Sequence, residues 1–443
     1  MKPTMPQPSL QVIRGAFVDF IEDPFYKPEV ESVRYLPDGL LVVESGKIKA
    51  FGSYESLEAQ YGTTITATYP EQLILPGFID LHVHYPQTEM IAAYGEQLLE
   101  WLNKYTFPTE RKFRDPNYAR QIAAFFLDEL LRNGTTTAGI FTTIFPESVE
   151  VLFEEAERRQ MRLLAGQVLM NRNAPEFLLN QTQSAYHQVR EQIQTWHGRG
   201  RLLYALTPRF AITSTPEELQ WVGELKAEFP DLYIQTHLAE NPKEIEITQT
   251  LFPDHRDYLE IYEQYGLVKD RSIFAHCIYL EDSAFARLSE AEASIAFCPT
   301  SNLFLGSGLF KLHQAKSPEH NLRVGLATDV GAGTSLSLLQ TMGEAYKVSH
   351  LQGQSLSAFK AFYLATLGGA KALFLDQQIG NFEIGKEADF VVLDGRATSL
   401  MALRNPNPTP RSLDELSDYL FGTMVLGDDR AIQATYVDGC LVQ

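Results

Sequence analysis

Between residue 77 and about residue 375, short apolar runs alternate with longer amphipathic stretches. Eight runs read as strands: Phe78–His84, Thr135–Phe141, residues 162–170, Leu202–Pro208, and residues 232–238, 272–279, 294–298 and 323–328. The stretches between them, among them residues 118–132, 148–159, 216–229 and 335–350, place apolar positions at helical spacing. One helix start is explicit. Thr215 precedes Pro216, and Glu217 and Glu218 occupy the first turn, so a capping side chain, a proline and two acids stand in helix-starting order. Eight strands alternating with helices over roughly 250 residues or more are the count of a (β/α)8 barrel, an α/β fold of TIM type.

The flanks follow a different pattern. Residues 40–43, 47–51 and 64–68 read as strands around a turn at Glu44-Ser45-Gly46, and β pattern resumes at residues 388–393 and 432–437. The two chain ends therefore predict a small β-sandwich beside the barrel, with domain limits at 1–75, 76–375 and 376–443. Residues 380–386 match the G-x-x-x-x-G-K form of a phosphate loop. Glu387 stands where a Ser or Thr would bind Mg²⁺, however, and strand pattern follows in place of a helix, so the segment reads as a turn.

Composition narrows the function classes. A chain of 443 residues exceeds one small core and suits a large domain with an accessory. The net charge of −19 disfavours binding to a nucleic-acid backbone or an anionic membrane, which leaves small neutral substrates open. Cys277, Cys298 and Cys440 are odd in number and far apart, so no disulfide framework is expected, and the first two read as core packing. Met1–Pro8 lack the apolar core of a signal peptide, and no run of about 18 apolar residues occurs, so the cytoplasm is the expected compartment.

The chemistry starts at Phe78-Ile-Asp-Leu-His82-Val-His84-Tyr, where two histidines one residue apart close an apolar run after Pro76-Gly77. Side chains at i and i+2 of a strand share a face, so His82 and His84 project together as two nitrogen ligands would. Further polar groups end other strands: His237 with Glu240 after the fifth, His276 after the sixth and Asp329 after the eighth. In a barrel, reactive groups sit at the C-terminal ends of strands. Each of these alone reads as a satisfied core residue, but burying all of them unpaired would cost several kcal/mol apiece. Three imidazoles and a carboxylate suit Zn²⁺, with Fe²⁺ or Mn²⁺ compatible by donor type, and leave room for a water whose pKa the metal lowers. Hydrolysis follows from that arrangement, and Glu240 can hold a proton near the substrate without binding metal. His187, His197, His255, His313, His320 and His350 stand among polar neighbours and read as solvated surface. The H-x-E…P-C-x-x-C deaminase pattern is absent because Cys298 has no partner cysteine, and Asn241 follows Glu240 where H-E-x-x-H would need other residues.

These residues resemble the amidohydrolase superfamily, whose barrels carry H-x-H on the first strand, His on the fifth and sixth, and Asp on the eighth. The stretch His82-Val-His84-Tyr-Pro86-Gln87-Thr-Glu89, with Trp101-Leu-Asn-Lys-Tyr105-Thr-Phe-Pro108 and Thr207-Pro208-Arg209-Phe210, is similar to its guanine-deaminating branch. The resemblance implies one Zn²⁺ per subunit bound by His82, His84, His237 and Asp329, with His276 on the water or at the edge of the metal shell. A single ion also fits the fourth strand, which ends in Pro208-Arg209 with no lysine to be carbamylated and bridge two metals. The implied reaction is hydrolytic deamination of guanine to xanthine and ammonia. Glu240, Asp329 and His276 are its catalytic groups, and His84, Gln87, Arg209, Phe210, His237, Glu240 and Asp329 are its substrate contacts. Arg209 offers a fixed fork of donors to a ring carbonyl, Gln87 offers a donor and an acceptor, and Phe210 reads as wall or core. Trp101 and Tyr105 read equally as cover over the pocket or as packing. The resemblance also implies a homodimer. Two other readings stand beside it: a deaminase of another aminoheterocycle (8-oxoguanine, a pterin or a triazine), and a catalytically silent barrel scaffold.

Overall fold

Strands buried on both faces carry continuous apolar or small residues, because helices cover one face and the barrel interior the other. In the computed structural model, which describes residues 10–95 and 97–443, eight such strands run parallel. They are β1 (Phe78–His84), β2 (Thr135–Phe141), β3 (Arg162–Gly166), β4 (Leu202–Pro208), β5 (Tyr233–Leu238), β6 (Ser272–His276), β7 (Ser294–Phe297) and β8 (Arg323–Leu326). Each pairs with the next in order from β1 to β8. The ring closes where the backbone N–H of Asp329 donates to the His82 carbonyl (2.9 Å) and that of His84 to the Val330 carbonyl (2.8 Å). The (β/α)8 barrel is therefore as expected; β1, β2 and β4 keep both limits, whereas β6 and β8 end at His276 and Leu326, ahead of the expected 279 and 328. The third run breaks at Gln167, with Val168–Leu169 pairing separately with β4. The first residues, on which the signal-peptide reading rests, lie outside the described residues.

Ile79, Leu81, Leu164, Ala205, Ile273, Ala275 and Ala296 pack the barrel interior together with Ala370, Ala372 and Leu373 from the segment after β8. Tyr233 ties that segment in place by donating to the Leu373 carbonyl (2.6 Å). This filling closes the N-terminal end of the barrel, so polar groups gather at the opposite rim.

Both chain ends join one seven-stranded sheet. It takes Gln11–Phe20, Val33–Glu44, Lys47–Ser53 and Ala67–Pro76 from the front of the chain, and Phe390–Leu393, Ile432–Val437 and Cys440–Leu441 from the back. Phe390 lies opposite Pro76 in an antiparallel pair, which joins the two ends. The turn at Ser45 and Gly46 has φ of 52° and 75°, the left-handed pair that a two-residue hairpin loop requires. Two expectations are corrected. The strand expected at 64–68 starts at Ala67 and follows a helix, Tyr54–Tyr61. The C-terminal segment also carries helices Ser399–Arg404 and Leu413–Leu426, the second packed on barrel helices Leu338–Leu351 and Ala358–Leu364. No helix among the described residues is long and apolar enough to cross a membrane.

Candidate active site

The first strand places its histidines by a break in alternation. Asp80 lies opposite Ala138 and Val83 opposite Ile140, three residues against two, which is a β-bulge. Before the bulge Ile79 and Leu81 face the barrel interior, and after it His82 and His84 do, while Val83 joins the outer core. The bulge is held by Asp80, whose carboxylate accepts from the backbone of His82 (3.2 Å) and from both the backbone (3.1 Å) and hydroxyl of Thr328. One buried acid thus pins β1 to the end of β8, and burial pushes it up to about 6.

Four side chains from three strands meet there. His84 Nε2 lies 3.1 Å from His82 Nε2 and 3.3 Å from His237 Nε2, and Asp329 Oδ1 lies 3.2 Å from the Nε2 atoms of both His82 and His84. Zinc bonds of about 2.0–2.1 Å in a tetrahedron set donors about 3.3 Å apart, so the spacing fits one small cation. The protonation states fit as well. His237 Nδ1 lies 2.7 Å from the Arg209 carbonyl and must donate to it, which leaves the Nε2 lone pair on the cluster. Burial pushes His84 down to about 3 and holds His237 well below its ordinary value, so both imidazoles are neutral. Burial opposes the charge on Asp329, but His82 and the hydrogen bonds from His82 and His84 outweigh it, and the carboxyl stays well below its usual range.

His276 stands one step outside. Its Nδ1 donates to Asn302 Oδ1 (2.9 Å), and its Nε2 faces Glu240 Oε2 at 3.4 Å and Asp329 Oδ2 at 3.7 Å. Glu240 accepts from Ser307 Oγ (2.9 Å). Burial, then the charge of Asp329, pushes the Glu240 carboxyl up to about 8. The backbone N–H groups of Glu240 and Asn241 both donate to the buried Glu244 carboxylate (2.8 and 3.0 Å). Ala239, His276 and Asp329 take left-handed φ of 51°, 71° and 50°, a strained backbone where three strands end at one site.

A cavity opens on this cluster. Eight of the nine residues expected in the site line it: His84, Gln87, Arg209, Phe210, His237, Glu240, His276 and Asp329. His82 lies in the cluster behind them. Leu98, Trp101, Leu102, Leu305 and Ala332 complete the wall, so Trp101 lines the cavity as well as packing in an apolar cluster, whereas Tyr105 packs against that cluster without reaching the wall. Cys277 and Cys298 are free and buried, as expected of packing residues, although Cys298 lies close to His276 and Asp329. The solvated reading of the remaining histidines fails at His320, which is buried and bonds Asp282 (2.8 Å), and at His197, whose Nδ1 accepts from the Tyr204 backbone (3.1 Å).

Sequence reasoning missed Glu110, Asn302, Ser307, Glu244 and Asp80. Asn302 follows the end of β7 and was findable as a strand-end polar residue. Glu110 lies in a helical segment beside Arg111 and Lys112, where it looks like half of a surface ion pair, and no periodicity brings it to the barrel mouth.

Comparison with known proteins agrees with this geometry. The model of the amidohydrolase family matches residues 73–442. The guanine deaminase of Escherichia coli K12 is 54% identical over 436 residues, 98% of each chain, and an E. coli guanine deaminase structure superposes with a TM-score of 0.94, covering 98% of this chain and 99% of that one. The guanine deaminase structure from Bradyrhizobium japonicum is 41% identical with a TM-score of 0.95, covering 98% and 99%. The enzyme from C. acetobutylicum, solved with guanine in its active site, is 28% identical with a TM-score of 0.88, covering 98% and 100%.

Proposed function

The chain belongs to the amidohydrolase family, and on that premise we infer that it converts guanine and water to xanthine and ammonia. The observation that carries this reading is a single cavity holding both a four-donor cluster of cation dimensions and a wall built from Arg209 and Gln87. His82, His84, His237 and Asp329 hold one zinc ion per subunit. Three imidazoles and one carboxylate are a donor set that zinc favours. The bound ion supplies a water activated for attack at neutral pH.

The chain's own groups do the rest. Arg209 donates to the O6 carbonyl and Gln87 meets the N1–H edge, so guanine enters with C2 toward the cluster. Glu240 protonates N3 as the ring loses aromaticity at C2. The two oxygens of Asp329 divide their work: Oδ1 faces His82 and His84, while Oδ2 faces His276 and takes the proton of the attacking water. That proton passes to the departing amine, and His276 steadies the oxygen added at C2. Phe210 and Trp101 exclude solvent from the ring. A base without the O6 carbonyl leaves buried donors unpaired, which is the basis for rejecting adenine.

The enzyme works in the cytoplasm as a homodimer, and light scattering should find twice the chain mass of 50.0 kDa. The deciding experiment follows ammonia release by zinc-loaded protein from guanine, 8-oxoguanine, a pterin, a triazine and adenine. Guanine should be the preferred substrate, and preference for another member of the panel overturns the reading.

A further inference from the structure

We propose that Glu110 is the positioning residue that sets base specificity, by holding Arg209 and Gln87 in the one arrangement that matches a lactam edge (a ring carbonyl beside an N–H). This rests on the reading that a lactam-bearing base is the substrate. Glu110 is fully buried at the end of the short helix Phe107–Glu110, far in sequence from the barrel strands. Both of its oxygens accept from Arg209 Nη1 at 2.9 Å, and Oε1 also accepts from Gln87 Nε2 at 3.2 Å. The same helix supplies Phe107, over whose ring the Arg209 guanidinium carbon lies at 5.6 Å. The guanidinium is thus fixed from its edge and from its face.

The consequence for Gln87 is an orientation. An amide has nearly the same shape whichever way its oxygen and nitrogen point, so only its partners decide. Glu110, an acceptor, takes the NH₂ group, and the Gly331 backbone N–H, a donor, takes Oε1 at 3.3 Å. A Cβ at position 331 would come within 2.9 Å of the Gln87 backbone carbonyl oxygen and 3.0 Å of its Cβ, so the glycine is what lets the two residues approach. The side-chain carbonyl oxygen of Gln87 is thereby the acceptor left for a ring N–H. Glu110 also balances the charge of Arg209. A buried guanidinium without its acid would draw an anionic ligand, whereas the paired wall presents donors to a neutral carbonyl.

The test is calorimetric binding to zinc-loaded protein of hypoxanthine, which has the lactam edge, and unsubstituted purine, which lacks it. In Glu110→Gln, hypoxanthine should weaken by roughly tenfold or more while purine stays within about twofold and zinc content is unchanged. Equal weakening of both ligands, unchanged hypoxanthine binding or loss of zinc overturns the proposal. Should that variant fail to fold, Glu110→Asp, which keeps the charge but withdraws it by one methylene, must show the same selective loss. Wild-type turnover separates the two readings. A wild type inactive on guanine overturns the functional reading, whereas an active wild type with a non-selective variant overturns the role of Glu110 alone.

Discussion

Glu240 and His276 stand within 3.4 Å of each other, but each is held by a different partner, Ser307 for the acid and Asn302 for the imidazole. That separation of supports lets the proton donor be removed without disturbing the cation cluster. Glu240→Gln should keep its zinc and lose roughly 10²–10⁴-fold in kcat; near-normal turnover alongside full zinc occupancy would sink the role given to Glu240. His237→Ala, by contrast, removes one of four donors and should emerge from purification without bound zinc, as read by elemental analysis. Residues of this kind were legible because strand-end histidines and acids carry their chemistry in their identity. Glu110 and Ser307 were not, because an acid beside basic residues and a serine between two glycines are ordinary surface patterns until the fold brings them against Arg209 and Glu240.

At the scale of elements, the helix Pro216–Glu228 follows its sequence signals closely: Thr215 caps it by accepting from the Glu218 N–H. The same helix carries a feature that the signals concealed. Glu218, read as a first-turn acid, is fully buried, and burial pushes its carboxyl up to about 8 from 4.5. Between about 4.5 and about 8 the unfolded chain has released this proton while the folded chain keeps it, so stability falls as pH rises through that window. Glu218→Gln should remove that slope and stabilise the protein at pH 8 by on the order of a few kcal/mol. Urea midpoints at pH 5 and pH 8 check this, and a parallel pH dependence in both proteins would contradict it. The bulge in β1 lies at the same scale. It was invisible beforehand, because period-2 reasoning puts His82 and His84 on one face without saying that Leu81 shares it.

For the whole molecule, the sheet made from the chain ends is tied to the barrel through buried charges. Glu387, just before Phe390–Leu393, pairs with Arg162 at the start of β3 and with Arg201 just ahead of β4, and Arg201 also pairs with Asp389. Burial opposes the charge on Glu387, but the two guanidiniums outweigh it and hold the carboxyl below its usual range. Its contribution to stability is therefore present at neutral pH and lost as pH falls through that lowered value. Glu387→Gln leaves Arg162 short of its acid and should cost roughly 3–5 kcal/mol of unfolding free energy at neutral pH. Scanning calorimetry reads this directly, and an unchanged midpoint would show that the contact does not couple the two units.

The linear order of residues by itself determined the eight alternating strands and the metal-type residues at their ends. Each of these depends on residue type and on spacing along one strand or helix, which a chain carries before it folds. Tertiary structure alone decided which face the His82–His84 pair took, through the bulge pinned by Asp80. It also decided which groups hold the site in position: Glu110 lies 99 residues from Arg209, Asn302 lies 26 from His276, and Ser307 lies 67 from Glu240. Contacts at such separations leave no periodic trace, because they depend on how β1, β4, β5 and β6 are set around the ring and not on any local preference of the residues that make them.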